Sequence, residues 1–316
     1  MIRVTNLNKV YGTTTAIRDV TFEVEEGEIL GFLGPNGAGK TTTMRILTGY
    51  TSSTSGSATV EDFDVRTNTL EVKKRIGYLP ETVPLYPEMT VEGYLDFVAH
   101  VKGLPRDTRK HSVQKVIEDT ELGPVHNRLC GNISRGFRQR VGIAQALVSD
   151  PPVLILDEPT VGLDPKQVVE IRTLIRSFHG KKTVILSTHI LPEVSMTCSK
   201  VAIINEGSIV ASGTPDNLMS HLQERSRINL TIQGPADEVS AKLASLADVQ
   251  EVKIVNRMPD NVSDFVLFGS GDKDIRAAVS QAVHANGWTI LEMHSVGLSL
   301  EDIFLRVVTG VSLKDE

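Results

Sequence analysis

The sequence predicts an α/β protein: a parallel sheet carrying a glycine-rich loop, with a helical insertion and a small α+β domain after it. Three observations predict this class. Short apolar runs, "ILGFL" (29–33), "VLIL" (153–156), "TVIL" (183–186) and "VAII" (201–204), have the length of strands buried on both faces of a parallel sheet. A glycine-rich segment follows the first run and opens a helical pattern. Beyond residue 150 the apolar runs alternate with helical periodicity, the order of βαβ units.

Each element follows in turn. The first 30 residues alternate apolar and polar in two or three strand-like stretches, including "VTFEVEEGE" (20–28). From about Glu81 to Val148 the pattern becomes helical and is punctuated by prolines, which predicts an inserted helical subdomain over about 82–148. Strand and helix then alternate through "VLIL", a helix from about Lys166 to Phe178, "TVIL", a short helix after Leu191, and "VAIIN". Residues 1–216 read as one domain, and a polar junction runs from Asn217 to Arg227. Residues 227–316 read as a small α+β domain. Its strands fall at 228–233, 249–256, 263–268 and 288–294, and its helices at 236–246, 273–286 and 299–308. No internal repeat is present.

Composition bounds the function. At 316 residues the chain exceeds the roughly 250–300 over which a single core usually grows, so two domains are expected. A net charge of −6 argues against a general nucleic-acid binder. Two cysteines, Cys130 and Cys198, lack any ligand spacing, which suits a reducing compartment and disfavours zinc. The start "MIRVTNLNKVYG" has no signal-peptide pattern, and no apolar run approaches the roughly 20 residues of a membrane span. A cytoplasmic protein is expected, with any membrane role exercised through a partner chain.

Two motifs carry chemistry. Gly34-Pro35-Asn36-Gly37-Ala38-Gly39-Lys40-Thr41 fits GxxxxGK[ST] between strand and helix, followed by Thr42. Its glycines let successive N–H groups turn inward on an anion, and the helix dipole adds positive charge. Lys40 would reach the β/γ-phosphates and the Thr41 hydroxyl would ligate Mg²⁺, so a nucleoside triphosphate site is predicted. "VLILDEPT" ends a buried strand with Asp157 and Glu158, at the sheet edge where ligands of open α/β folds sit. Asp157 would hold Mg²⁺ opposite Thr41, and Glu158 would act as general base on the attacking water. A third stretch, "ISRGFRQRVGIAQAL" (133–147), is ambiguous by itself. It reads as a nucleic-acid contact through Arg135, Arg138 and Arg140, as a phosphate site capped by Ser134, or as a capped helix with a solvated basic face.

With these motifs in order, residues 2–216 resemble the nucleotide-binding subunit of ATP-binding cassette (ABC) transporters, a P-loop NTPase fold. The resemblance implies ATP and Mg²⁺ as cofactors and ATP hydrolysis coupled to transport. It implies that Tyr11 in "KVYG" stacks on adenine, and that "VGLDP" (161–165) is the D-loop, with Asp164 near a dimer interface. His189 in "STHI" becomes the switch histidine facing the γ-phosphate. "ISRGF" stands where the family has LSGGQ, so Ser134, Arg135, Gly136 and Phe137 would meet ATP bound to the opposite subunit, a second copy of the chain. Nucleic acid is not an expected partner.

The chain departs from the family pattern at three positions. Arg135 and Phe137 replace the usual Gly and Gln of the signature, which implies a weakened, asymmetric signature. Glu81 in "IGYLPE" replaces the usual Gln and becomes a further candidate Mg²⁺ ligand. The segment "TVPLYPEMTVEGYLDF" (82–97) and the tail "SLEDIFLRVVTG" (299–310) resemble the exporter branch that pairs with separate membrane permeases, including gliding and multidrug or antibiotic export. The subunit would then sit on the inner face of the cell membrane through its permease. The competing classes are an importer ATPase with a regulatory tail and a soluble cassette ATPase. Importer tails read as short all-β barrels, and soluble members carry two cassettes or long coiled coils, neither of which this chain shows.

Overall fold

A computed structural model describes residues 1–215, 217–218, 227–269 and 275–296. The chain separates into two compact units, the first spanning Met1–Pro215 and the second following it.

The first unit is built on two sheets. Strands β1 (Ile2–Tyr11) and β2 (Thr14–Val24) form a hairpin joined by β4 (Ser55–Val60) and β5 (Phe63–Asp64), in the antiparallel order β2-β1-β4-β5. The stretch expected to continue as strand to residue 28 stops at Val24. Gly27, at φ +74°, turns the chain there, and the Glu28 amide donates to Glu25 O at 3.2 Å. The second sheet runs β10-β9-β3-β8-β7-β6 (Ser208–Gly213, Lys200–Asn205, Ile29–Leu33, Thr183–Thr188, Val153–Asp157, Ile76–Leu79). All its pairs are parallel except β10 with β9. Every residue of β3, β7 and β8 is buried, as central parallel strands require. The two sheets share one core, in which Phe22 of the first packs on Phe32 of the second with ring centroids 5.3 Å apart.

Helix α1 (Lys40–Leu47) follows β3 and drives Met44 and Leu47 into that core. After it comes α2 (Thr69–Arg75), which leads into β6. The helical insertion between β6 and β7 holds α3 (Val91–Val101), α4 (Arg106–Asp119) and α5 (Arg135–Leu147). Thr90 caps α3 by accepting from the Gly93 amide at 3.1 Å. Helices α6 (Pro165–Arg176) and α7 (Leu191–Thr197) complete the βαβ alternation. The sequence reading placed no element at β4, β5, α2, β6 or β10.

The second unit holds β11 (Arg227–Gln233), α8 (Ala236–Ala244), β12 (Val249–Met258), β13 (Val262–Gly269), α9 (Arg276–Ala285) and β14 (Thr289–Val296). The β-α-β-β-α-β order with sheet order β12-β13-β11-β14, antiparallel throughout, is the ferredoxin-like arrangement. Ile228, Leu230, Phe265 and Leu267 of the sheet pack with Val239, Leu243, Val279 and Val283 of the helices. The expected helix at 299–308 and most of the junction at 217–227 lie outside the described residues.

One close approach fixes the helical insertion to the sheet. A Cβ at Gly77 on β6 would stand 2.0 Å from the Ala146 carbonyl oxygen on α5, a backbone atom that cannot rotate aside. Glu81 follows β6 and the 133–137 segment opens α5, so this contact sets the spacing between them. Gly77→Ala should destabilise the fold by about 1–3 kcal/mol through overpacking. Urea denaturation measures it, and an unchanged midpoint would show that α5 yields freely.

Candidate active site

The site forms where three parallel strands end. The ladder aligns Leu33 with Thr188 and Asp157 with Ser187. One residue further, the Gly34 amide donates to Thr188 O at 3.3 Å and the Glu158 amide to Ser187 O at 3.0 Å. The glycine-rich loop, the acid pair and His189 therefore leave the sheet at one level.

Gly37 and Gly39 adopt φ of +81° and +106°, and Gly39 is the N-cap of α1, with no side-chain cap. A Cβ at Gly39 would meet Ile17 Cγ2 at 2.6 Å and Ala16 O at 2.8 Å on β2, so only glycine fits. Pro35 O accepts from the Ala38 amide at 3.2 Å, closing the loop around the exposed Asn36. Thr41 and Thr42 lie half-buried in the first turn of α1. The Lys40 ammonium is buried and donates to Gly34 O at 2.8 Å and Pro35 O at 3.2 Å. It also stands 3.5 Å from Glu158 Oε1.

Asp157 is fully buried. Its Oδ1 accepts from the Ser187 hydroxyl, whereas Oδ2 is buried with no hydrogen-bond partner. Burial pushes its carboxyl above the ordinary carboxylate range; the Ser187 and Thr41 hydroxyls oppose this, and the negative charges of Glu158 and Glu81 add to it. The exposed Glu81 thus lies within electrostatic reach of the pair. Asp157 thus offers a buried, unpartnered carboxylate oxygen, with the Thr41 hydroxyl acting on the same carboxyl. These oxygens fit a hard divalent cation, which keeps most of its waters and needs only one or two protein oxygens. Glu158 adopts φ +51°, a left-handed conformation that a glutamate rarely takes. It presents both oxygens to His189 Nδ1 at 3.0 Å and is 5% exposed.

The remaining predicted residues surround this centre. Tyr11 ends β1, is 46% exposed, and has Lys9 Nζ 4.8 Å from its ring centroid. Its hairpin belongs to the strand whose Ala16–Ile17 segment packs on Gly39. Asp164 caps α6 by accepting from the Gln167 amide at 2.9 Å. Ser134 caps α5, accepting from the Phe137 amide at 3.4 Å. A Cβ at Gly136 would collide with the Gln167 amide at 2.5 Å, and one at Gly162 (φ +69°) would lie 2.1 Å from Arg135 Cζ. The 133–137 segment and the 161–165 loop are therefore packed together within one chain. Arg140 corrects the reading of an exposed basic face: it is 9% exposed, bonding Thr120 O at 3.0 Å, Glu121 Oε2 at 2.9 Å and Glu170. It is not free to meet a nucleic acid. Ser187, which hydrogen-bonds Asp157, was assigned no role in the sequence reading, because nothing local in the sequence marks it.

Fold and site together define a phosphate-loop nucleoside triphosphatase. Residues 17–161 match the family described as "ABC transporter". Over 316 residues the chain is 31% identical to the linearmycin resistance ATP-binding protein LnrL of Bacillus subtilis (strain 168), covering all of both. It is 32% identical to the bacitracin transport ATP-binding protein BcrA of Bacillus licheniformis, covering 98% of each chain. Among solved structures, a dimeric bacterial ABC transporter cassette superposes with a TM-score of 0.62 at 26% identity, over 68% of this chain and 98% of that one. The chain belongs to the ABC transporter family, as one of its ATP-binding ATPase subunits.

The raised pKa of Asp157 has a consequence for stability. The folded state holds the proton more tightly than the unfolded chain, so its contribution falls as pH rises from the ordinary carboxylate range through the raised value. Asp157→Asn removes that penalty. In Mg²⁺-free buffer at neutral pH the variant should melt above wild type, and the gap should narrow as pH falls. A variant melting below wild type at neutral pH would show that the buried charge is compensated.

Proposed function

We propose that this chain is the ATP-hydrolysing subunit of an exporter, working through a separate membrane permease and closing as a dimer over two ATP molecules. The observation that carries the chemistry is Glu158, held in a left-handed conformation between Lys40 and His189 at the end of β7. The phosphate loop from Gly34 to Gly39, with Lys40, Thr41 and Thr42, binds the triphosphate, and its inward N–H groups and the α1 dipole complement the negative charge. Lys40 exchanges loop carbonyls for β/γ-phosphate oxygens. Tyr11 stacks on adenine. Glu158 accepts the proton of the attacking water, and His189, donating from Nδ1, holds the carboxylate in line. Mg²⁺ would be held by Thr41 and Asp157, with Glu81 beside them, and would neutralise charge on the phosphate oxygens.

The dimer reading rests on Ser134, the exposed N-cap of α5, and on Gly136 in its first turn. Together with Arg135, Phe137 and Asp164 they would meet ATP on the partner copy, as the dimeric relative supports. The export reading rests on the full-length likeness to proteins named for linearmycin resistance and bacitracin transport. The β-α-β-β-α-β second unit differs from the all-β tails expected of importers. No described helix is long and apolar enough to cross a membrane; on this reading the permease is a separate chain and the subunit sits on its cytoplasmic side. Its docking surface is the 82–97 segment. There Tyr86 packs edge-on against Tyr94 and Phe97 at 6.1 and 5.7 Å, yet remains 50% exposed.

Glu158→Gln should lower ATP turnover by about 10²–10⁴ while preserving nucleotide binding, so that an ATP-bound dimer accumulates on gel filtration. Turnover at the wild-type rate would remove Glu158 from the mechanism. Ser134→Arg should leave ATP binding to the monomer intact and abolish ATP-driven dimerisation. Undiminished dimerisation, read by light scattering, would reduce the segment to a capped helix.

A further inference from the structure

Helix α7 buries a carboxylate that the reading above does not use. Glu193 is 1% exposed. Its Oε1 accepts from the Thr160 hydroxyl and its Oε2 from the Thr188 hydroxyl at 2.9 Å. No described basic side chain pairs with it. Its charge is felt locally, since the buried Cys198 thiol is pushed up by desolvation first and by Glu193 second.

The two threonines flank the reactive pair. Thr160 lies two residues after Glu158, within the turn that the Val161 amide closes on Glu158 O at 3.2 Å. Its carbonyl accepts from the Leu163 amide at 3.2 Å, opening the 161–165 loop. Thr188 immediately precedes His189, and its hydroxyl accepts from the Ile190 amide at 3.0 Å while donating to Glu193. Its carbonyl anchors Gly34. One carboxylate therefore ties together the chain segments that carry Glu158, His189 and the first residue of the phosphate loop. Each hydroxyl has a single proton, and both protons are committed to Glu193.

We propose that Glu193 is a positioning residue that sets the Glu158–His189 pair, keeping His189 Nδ1 at 3.0 Å from both carboxylate oxygens. This rests on the role given above to Glu158. A buried carboxylate served only by hydroxyls opposes folding, and an apolar side chain of similar volume would suit the core better. What Glu193 supplies is direction: it orients two hydroxyls that hold neighbouring backbone in place.

The test compares Glu193→Ala, Glu193→Gln and Glu158→Gln by steady-state ATPase assay, equilibrium binding of a fluorescent ATP analogue and thermal melting. Glu193→Ala should lower kcat at least about tenfold, since small misplacements at a reacting centre are amplified. KM and analogue affinity should change less than about twofold, the mark of an effect on turnover alone. Its melting temperature is read alongside, and a lowered melting temperature with wild-type kcat marks a merely structural role. Glu193→Gln, keeping the shape and one acceptor oxygen, should recover most of the turnover. In a His189→Ala background, Glu193→Ala should add less than about twofold, because the pair it positions is already broken. Wild-type kcat in Glu193→Ala, or a loss of equal size in the His189→Ala background, overturns the proposal. Glu158→Gln separates the two readings: if it turns over normally, the role of Glu158 has failed, whereas an inactive Glu158→Gln beside an active Glu193→Ala refutes only the positioning role.

Discussion

The register of three parallel strands is the constraint on which the site depends. Pairing Leu33 with Thr188 and Asp157 with Ser187 brings three chemically different segments out of the sheet side by side. The ladder carries on past the strand ends through Gly34 to Thr188 O and Glu158 to Ser187 O. Those main-chain bonds set where loop, acid and histidine leave the sheet, and side chains adjust the geometry beyond it. A one-residue slip in β7 against β8 would turn Asp157 away from Ser187 and send Glu158 into the layer that Asp157 occupies. The fully apolar interiors of β3, β7 and β8 make such a slip costly only through the residues at their ends. Polar residues there fix register as well as chemistry.

Stability and chemistry pull apart at this edge. Lys40, Asp157, Glu158 and Glu193 are all buried, and Asp157 keeps one oxygen without a partner. Glu158 adds backbone strain of about 1–3 kcal/mol for its left-handed conformation. None of these features serves the fold. The core shared by the two sheets, from Val4 and Phe22 through Phe32 to Met44, supplies the stability that lets the edge remain unfavourable.

What the sequence made legible was whatever is written in consecutive residues. The phosphate loop, the acid pair after "VLIL" and the Ser134 cap each occupy a short stretch whose residue types state their physics. All the described elements of the second unit were readable from alternation alone, within a few residues at each end. The elements missed were those without a local signature. In β4 only Ala58 and Val60 turn inward, β5 is two residues long, and α2 buries only Val72. Long-range partnerships were illegible for the same reason. Arg140 reads as one of three arginines in a basic stretch until Glu121 and Glu170 are found beside it. Glu193 reads as an ordinary glutamate in the first turn of a helix, where acids are common.

The departure at Arg135 shows how a local oddity acquires meaning only in three dimensions. An arginine in place of a small signature residue needs room, and the room is at Gly162, where any Cβ would overlap the guanidinium. Gly162 also takes a positive φ, so two requirements converge on one position: backbone conformation and side-chain clearance. On the next residue the roles reverse, with Gly136 leaving space for the Gln167 side chain that rises from α6. The two segments therefore interlock, each providing a glycine for the other's long side chain. A Cβ at either glycine would require Gln167 or Arg135 to swing aside. The altered signature is thus packed against the 161–165 loop through Arg135 and against α6 through Gly136.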